Sequence, residues 1–167
     1  MRCTTREMGS LLTFFIIALS GAPRHARANP SLNVASVRQE IGVKGPKRVV
    51  NDYFNNQRRW EQLIGKISTG QTPWLGVAAQ LKAGSDAGAS QGLNFAVARA
   101  LPNNPRGVLK LLGPDFKLED VCVSPFIEQP ADVGARFVAR ARQALARQLS
   151  GPLSEKAKAC LDNLTAN

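Results

Sequence analysis

The sequence predicts an all-α protein of seven or eight short helices in antiparallel hairpins, an arrangement compatible with a solenoid-like curve. Three observations lead to this prediction. Apolar residues recur at the helical period of 3.6, alternating strand patterns are nearly absent, and prolines and glycines divide the chain at short intervals. One disulfide is expected to join two parts of this fold.

The first 28 residues predict a secretory signal peptide. A basic start precedes an apolar run at Leu11–Leu19, and Ala26 and Ala28 provide the small residues that signal peptidase accepts. The run is shorter than the about 20 residues needed to span a bilayer, so a short membrane anchor is the less favoured alternative. We therefore expect cleavage near Ala28, a periplasmic or secreted location, no stable membrane insertion, and a single helical domain at residues 29–167.

Proline and glycine mark where the helices of this domain should begin and end. Proline suits the first helical position because its missing N–H would have no partner there, and glycine is favoured just after the last turn. The predicted helix entrances are Gly45-Pro46, Thr72-Pro73, Asn104-Pro105, Gln129-Pro130 and Gly151-Pro152, and the predicted stops are Gly70, Gly84, Gly113 and Gly151.

Between these marks, apolar residues follow the helical spacing i, i+3, i+4, i+7. Series of this kind begin at Trp60 and Trp74, and both tryptophans are therefore expected in the core. Further series run from Leu93 to Leu101, from Val108 to Leu112 and from Val133 to Leu145. Residues 116–129 have no clear period, so we expect a long loop there, pinned by a disulfide.

Two small motifs between these helices are best explained as helix joints. The stretch STGQTPWLGVAAQL, residues 68–81, lacks the lysine that a phosphate-binding loop needs after its second glycine. It is instead predicted to be a turn with Thr72 as the N-cap, Pro73 at the first helical position and Trp74 packed inward. In the next turn, Ser85 or Asp86 is expected to cap the following helix, and a binding loop around Asp86 is the less favoured alternative.

Loss of the signal peptide changes which chemistry the chain can perform. Of 22 basic and 12 acidic residues, 18 and 11 remain, which leaves a net charge of +7. His25 is removed, so no histidine remains as a general base or in a Ser–His pair. Cys122 and Cys160 are expected to pair in an oxidising compartment, two buried free thiols being the alternative. We predict no catalytic residues, no metal site and no cofactor, since the remaining zinc ligands would be carboxylates and these paired cysteines.

Three arginines are the predicted partner-binding residues. Arg136, Arg140 and Arg147 fall on one stripe of the last long helix, and no acidic residue lies between Asp132 and Glu155. A solvated face is the ordinary explanation of such a stripe, and a docking surface for an acidic protein is the functional one. Nucleic acid is not expected as the partner, because the chain is predicted to be exported and lacks a Lys/Arg cluster interleaved with aromatic residues.

A second hypothesis is enzymatic. Glycoside cleavage can run on acidic residues alone, and Glu119 and Asp120 are the candidate pair for a small envelope enzyme acting on peptidoglycan. As catalytic groups they would need a cleft and a raised pKa. A solvated or helix-capping pair is the ordinary interpretation.

The stretch from Trp60 to Leu112 resembles a pattern found in small exported helical proteins of proteobacteria. The matching features are a Trp-led helix, Ile-x-x-Gly, Trp-Leu-x-x-Ala-x-x-Leu, Asp-Ala and Ala-Leu-x-x-Asn-Pro-x-x-Val-Leu. This resemblance covers about a third of the chain and implies a helical fold but no reaction. In size, export, helix content and disulfide, the protein is also similar to immunity proteins of type VI secreted cell-wall amidases. The lack of histidine after signal cleavage and the small size of the chain favour a periplasmic inhibitor or immunity-type protein over an enzyme.

Overall fold

The computed structural model describes residues 32–166, and the side chains of residues 32–164. The predicted signal peptide lies outside this range. Within it the chain forms nine helices and no β-strand, which confirms the all-α class. The helices are α1 Val34–Lys44, α2 Pro46–Phe54, α3 Gln57–Ser68, α4 Thr72–Lys82, α5 Ala87–Ala100, α6 Pro105–Leu111, α7 Leu118–Val121, α8 Ala131–Ala146 and α9 Ser154–Ala166. Of these helices, none is both long and apolar enough to cross a membrane.

Most of the helix boundaries follow the proline signals. Helices α2 and α6 begin at Pro46 and Pro105, as predicted. Helices α8 and α9 begin slightly later than their prolines predict, at Ala131 and Ser154. A proline can stand at or just before the first turn, so the signal locates a helix start only to within a residue or two.

The joint between α3 and α4 is a turn held by Asn104, as expected for a helix joint. Gly70 adopts φ 76, which an L side chain rarely tolerates. The Asn104 side chain donates to the Gly70 carbonyl at 2.7 Å and accepts from the Gly107 N–H at 2.8 Å, so one residue fixes the turn and caps α6. Gln71 occupies the N-cap position of α4, so the prediction of Thr72 as the cap was wrong by one residue.

Helix α5 is the centre of the packing. It lies against α2, α3, α4, α6 and α7, whereas α8 packs on α9 and touches α6. Its buried residues are mostly small or branched, namely Ala89, Leu93, Ala96, Val97 and Ala100. Successive helices pack as neighbours from α1 to α6, and α8 packs on α9, but the solenoid-like curve stays a prediction.

The two tryptophans differ in their burial. Trp74 is 5% exposed and lies in the core, as predicted. Trp60 is only partly buried, so its assignment to the core was wrong: its ring packs edge-on against Phe54 with the centroids 5.2 Å apart. Both rings lie over glycines of α5, since a Cβ at Gly92 would approach Trp60 to 2.6 Å and one at Gly88 would approach Phe54 to 3.0 Å.

Residues 116–129 are not one loop, because the short helix α7 lies within them. The predicted disulfide is confirmed: Cys122, at the end of α7, is bonded to Cys160 of α9. Beyond it, Phe126 packs edge-on against Phe137 of α8 with the centroids 5.5 Å apart. The segment is therefore held at two points, by the disulfide to α9 and by the aromatic contact with α8.

Tyr53 of α2 is fully buried beneath an ion pair between α1 and α3. Its hydroxyl donates to Glu40 at 3.2 Å, Arg59 pairs with Glu40 at 3.0 Å, and the Arg59 guanidinium lies 4.0 Å from the centre of the Tyr53 ring. Burial, followed by the charge of Glu40, raises the pKa of Tyr53 above its ordinary value of 10.0, and Arg59 partly opposes this. The cluster joins α1, α2 and α3 at one point.

Replacing Cys122 or Cys160 with alanine should lower the free energy of unfolding by about 2–5 kcal/mol, because the bond closes a loop with a sequence separation of 38 and so restricts the unfolded chain. Urea denaturation measures the change. Reductant should destabilise the wild-type protein by a similar amount and leave the Cys122→Ala variant unchanged. A variant as stable as the oxidised wild type would contradict the prediction.

Gly84→Ala should destabilise the protein by about 1–3 kcal/mol, because the new Cβ would lie 2.3 Å from the backbone nitrogen of Lys47. The matched control is Gly65→Ala. Gly65 is exposed within α3 with nothing near its Cβ position, so alanine there should stabilise by about 0.5–1 kcal/mol. Thermal unfolding measures the change in melting temperature for both variants. Changes of the same sign would show that Gly84 is not in tight contact with the backbone of α2.

Tyr53 is the only tyrosine in the chain, so tyrosinate absorbance during an alkaline titration reports on it alone. Its midpoint should lie above 10.0 in the folded protein and return to about that value in denaturant. Because the folded pKa is raised, the stability this group contributes is present below pH 10.0 and is lost as pH rises through the folded pKa.

Two variants complete this experiment. Glu40→Gln should lower the folded midpoint of Tyr53 by removing a nearby negative charge, and Tyr53→Phe should lack the alkaline loss of stability. Equal midpoints in folded and denatured wild-type protein would rule out the proposed cause.

Candidate protein-binding surface

Helix α8 is amphipathic, and its two sides have different roles. Phe137, Ala141 and Leu145 face the core and are buried. The opposite side exposes Arg136 and Arg140, and Arg147 is exposed at the C-cap of the same helix. The three predicted partner-binding residues thus share one exposed stripe, because four- and seven-residue spacings return to nearly the same side of a helix.

The three arginines are not electrostatically equivalent. Arg136 forms an ion pair with Asp132, one turn earlier. The lack of acidic residues between Asp132 and Glu155 therefore does not leave Arg136 uncompensated, since Asp132 itself stands at the i−4 position from which a carboxylate reaches it. Within the described side chains, no carboxylate pairs with Arg140 or Arg147. The uncompensated charge therefore lies toward the C-terminal half of α8.

A shallow groove adjoins the arginine stripe. One depression of about 450 Å³ is lined by Arg136, Ala139 and Arg140. A second, of about 590 Å³, shares Ala139 and continues along Ala135, Val138 and other residues of α8 to Leu164 of α9. The small residues on this face leave room for another chain to approach the helix closely, and the arginines border that space.

Arg142 also lines the second depression. Its Nη1 atom is buried and has no hydrogen-bond partner among the described residues. A buried donor without a partner is costly, so an acceptor supplied by a bound chain would relieve that cost.

A separate polar cluster joins α4 to α5. The ammonium group of Lys82 donates to the side-chain oxygen of Asn94 at 2.7 Å, to the Ser90 carbonyl at 3.3 Å, and to the Ser90 hydroxyl. Phe116 lies over the same group, 5.2 Å away. Burial lowers the pKa of Lys82, while the charges of Asp120 and Asp115 act in the opposite direction.

A lysine beside a serine hydroxyl can act as the base in nucleophilic catalysis, which makes this cluster a candidate for chemistry. Here, however, the three donors of Lys82 are directed at three acceptors, and Asn94 is the one buried polar residue of the described core. A charged lysine that satisfies a buried amide is a structural tie between two helices. We therefore assign the Lys82–Ser90–Asn94 cluster to stability.

The other sequence candidates do not converge on a site. Glu119 and Asp120 are both exposed in the first turn of α7, and neither lines the depressions described above. Asp86 occupies the N-cap of α5 but its side chain forms no capping hydrogen bond to that helix, and the Ser85 hydroxyl donates instead to the Lys82 carbonyl at 2.8 Å. No group of three or more His, Cys, Asp or Glu side chains in the described part of the chain is arranged to hold a metal ion.

No family model, curated protein or solved structure matches this chain. The choice among candidate sites therefore depends on geometry and charge alone.

Sequence reasoning missed both Arg142 and the Lys82 cluster. A usable signal existed for the cluster, because Asn94 stands beside Leu93 on the buried side of α5, where a polar group needs a partner. Nothing local in the sequence identifies Lys82 as that partner, since it lies on the preceding helix.

Proposed function

We propose that this protein is an exported binding protein, an inhibitor or immunity-type protein that blocks an acidic protein partner such as a secreted cell-wall-degrading toxin. The observation that carries the proposal is the exposed face of α8, where uncompensated arginines border a groove lined by small side chains. The disulfide is compatible with an oxidising compartment such as the periplasm.

The charge on α8 favours an acidic partner. Arg140 and Arg147 are exposed and without carboxylate partners among the described side chains, so their field extends into solvent. Arginine also forms paired hydrogen bonds with carboxylates, which gives such a contact a preferred geometry. A protein surface that presents Asp or Glu is the matching ligand.

The groove favours a partner that inserts a helix or an extended segment. Ala135 and Ala139 on α8 project little, so the backbone of a bound segment can approach closely, with Val138 and Leu164 providing apolar contact. Burial of apolar area would supply affinity, while the arginines would set orientation and the rate of encounter. An inhibitor that blocks a partner with a fixed helical face uses this combination.

The similarity to immunity proteins of type VI secreted amidases points to the same class of function. It is a likeness of size, export, helix content and disulfide. The envelope enzyme remains the alternative, with Glu119 and Asp120 as its acidic residues. Release of peptidoglycan fragments by the purified protein, abolished by Glu119→Gln or Asp120→Asn, would establish that alternative instead.

The experiment begins with a photo-crosslinking amino acid at Ala139, between the arginines and the groove. Mass spectrometry identifies the protein that is joined to it in the envelope, and surface plasmon resonance then measures association with that partner. Replacing both Arg140 and Arg147 with glutamine should slow association about tenfold with little change in stability, because exposed charges act mainly on encounter. Added salt should slow the wild type more than this variant.

Two controls use charges elsewhere on the helices. Asp132→Asn releases Arg136 from its ion pair and should accelerate association, whereas Arg58→Gln, an exposed change on α3, should have little effect. An unchanged association rate for the double arginine variant would remove the stripe from the interface.

A further inference from the structure

A concave site separate from the two depressions of α8 lies between α5 and the segment that leads into α8. It has a volume of about 420 Å³, within the range of small-ligand sites. One wall is the stripe Gln91, Phe95 and Arg99, spaced four residues apart on α5, and the other is the segment 125–129. We call this site the Arg99 cleft; it shares no lining residue with the two depressions of α8.

Arg99 is a partly buried cation on the α5 wall of the cleft. Among the described side chains no carboxylate forms an ion pair with it, and its one described hydrogen bond is a long one, 3.5 Å to the Pro125 carbonyl. Burial lowers the pKa of Arg99, although a guanidinium remains charged at neutral pH. Glu128 also lines the cleft, but it is exposed and forms no ion pair with Arg99. Several donors of Arg99 are therefore free to bind an anion.

The rest of the cleft is aromatic and apolar. The Arg99 guanidinium lies 5.4 Å from the centre of the Phe126 ring, and Phe95 is on the same side of α5. Ile127 is 76% exposed at the opening, an unusual position for a large apolar side chain. A ligand that covers it would remove apolar area from water.

The wall that carries Phe126 is held in place before any ligand binds. Phe126 packs on the buried ring of Phe137, and Pro125 is itself buried. The disulfide at Cys122 fixes the start of this segment. A preformed wall reduces the ordering that binding would otherwise require.

We propose that the Arg99 cleft binds a small organic monocarboxylate with an apolar body. The carboxylate would accept hydrogen bonds from Arg99, and the body would lie between Phe95, Phe126 and Ile127. A second anionic group on the ligand is disfavoured by Glu128, an exposed residue that also lines the cleft. This site is independent of the protein partner proposed for α8.

The first test compares two probes, 4-phenylbutyrate and its neutral amide, by NMR titration of the isotope-labelled protein. The carboxylate should bind with a Kd of about 1 mM or tighter, as expected for a ligand of this size. Its amide shift changes should map to residues 91–99 and 125–129. The neutral analogue should bind about tenfold more weakly, since it loses a charge-assisted hydrogen bond.

The second test uses matched arginine variants. Arg99→Gln should weaken 4-phenylbutyrate binding about tenfold and leave the affinity for the amide nearly unchanged. Arg140→Gln, which lies on the α8 surface, should leave both affinities unchanged. Near-ultraviolet circular dichroism verifies that each variant is folded.

Three results would overturn the proposal: no binding at about 10 mM, tenfold above the expected constant; equal affinity of the two probes for the wild type; or shift changes outside the cleft. The comparison of probes on the wild type does not depend on whether Arg99→Gln folds. Because the α8 experiment uses a different partner and different arginines, either proposal can fail without the other.

Discussion

The fold depends on how closely other helices can approach α5. This helix is covered by its neighbours on several sides, and it accommodates them with alanine and glycine where a larger side chain would clash. Gly92 and Gly88 accept the rings of Trp60 and Phe54, and on another side Asn94 receives Lys82 from α4. The spacing of neighbouring helices is therefore set by small residues on α5 and fixed by a few specific contacts, as close packing in protein interiors requires.

The all-α class and most helix boundaries could be predicted because their causes are local. Asn104 and Pro105 determine the start of α6 within that one turn, through the side-chain cap of Asn104 and the fixed φ of the proline. The burial of Trp60 could not be predicted in the same way: its periodicity indicates which side faces inward, but Gly92 on another helix determines how deep the ring lies. Helix α7 was missed because its four residues are too few to show a period.

The candidate surfaces show the same division between local and tertiary information. The pairing of Arg136 with Asp132 follows from a spacing of four residues and was readable from the sequence. The absence of an ion pair between Arg99 and any described carboxylate could not be read from the sequence, since it depends on how segment 125–129, which includes Glu128, lies against α5. A charge on a helix becomes a binding feature only when tertiary packing leaves it both accessible and uncompensated.

The disulfide also affects what a protease can achieve. Cys122 precedes α8 and Cys160 lies within α9, so the whole arginine stripe and the Arg99 cleft wall at 125–129 are enclosed in one covalent loop. A single cut in the exposed turn between α8 and α9, for example near Leu149, would leave the two fragments linked. Helix α8 would stay on the N-terminal fragment through its own backbone, and release of the α9 fragment would require a reductant as well as the cut.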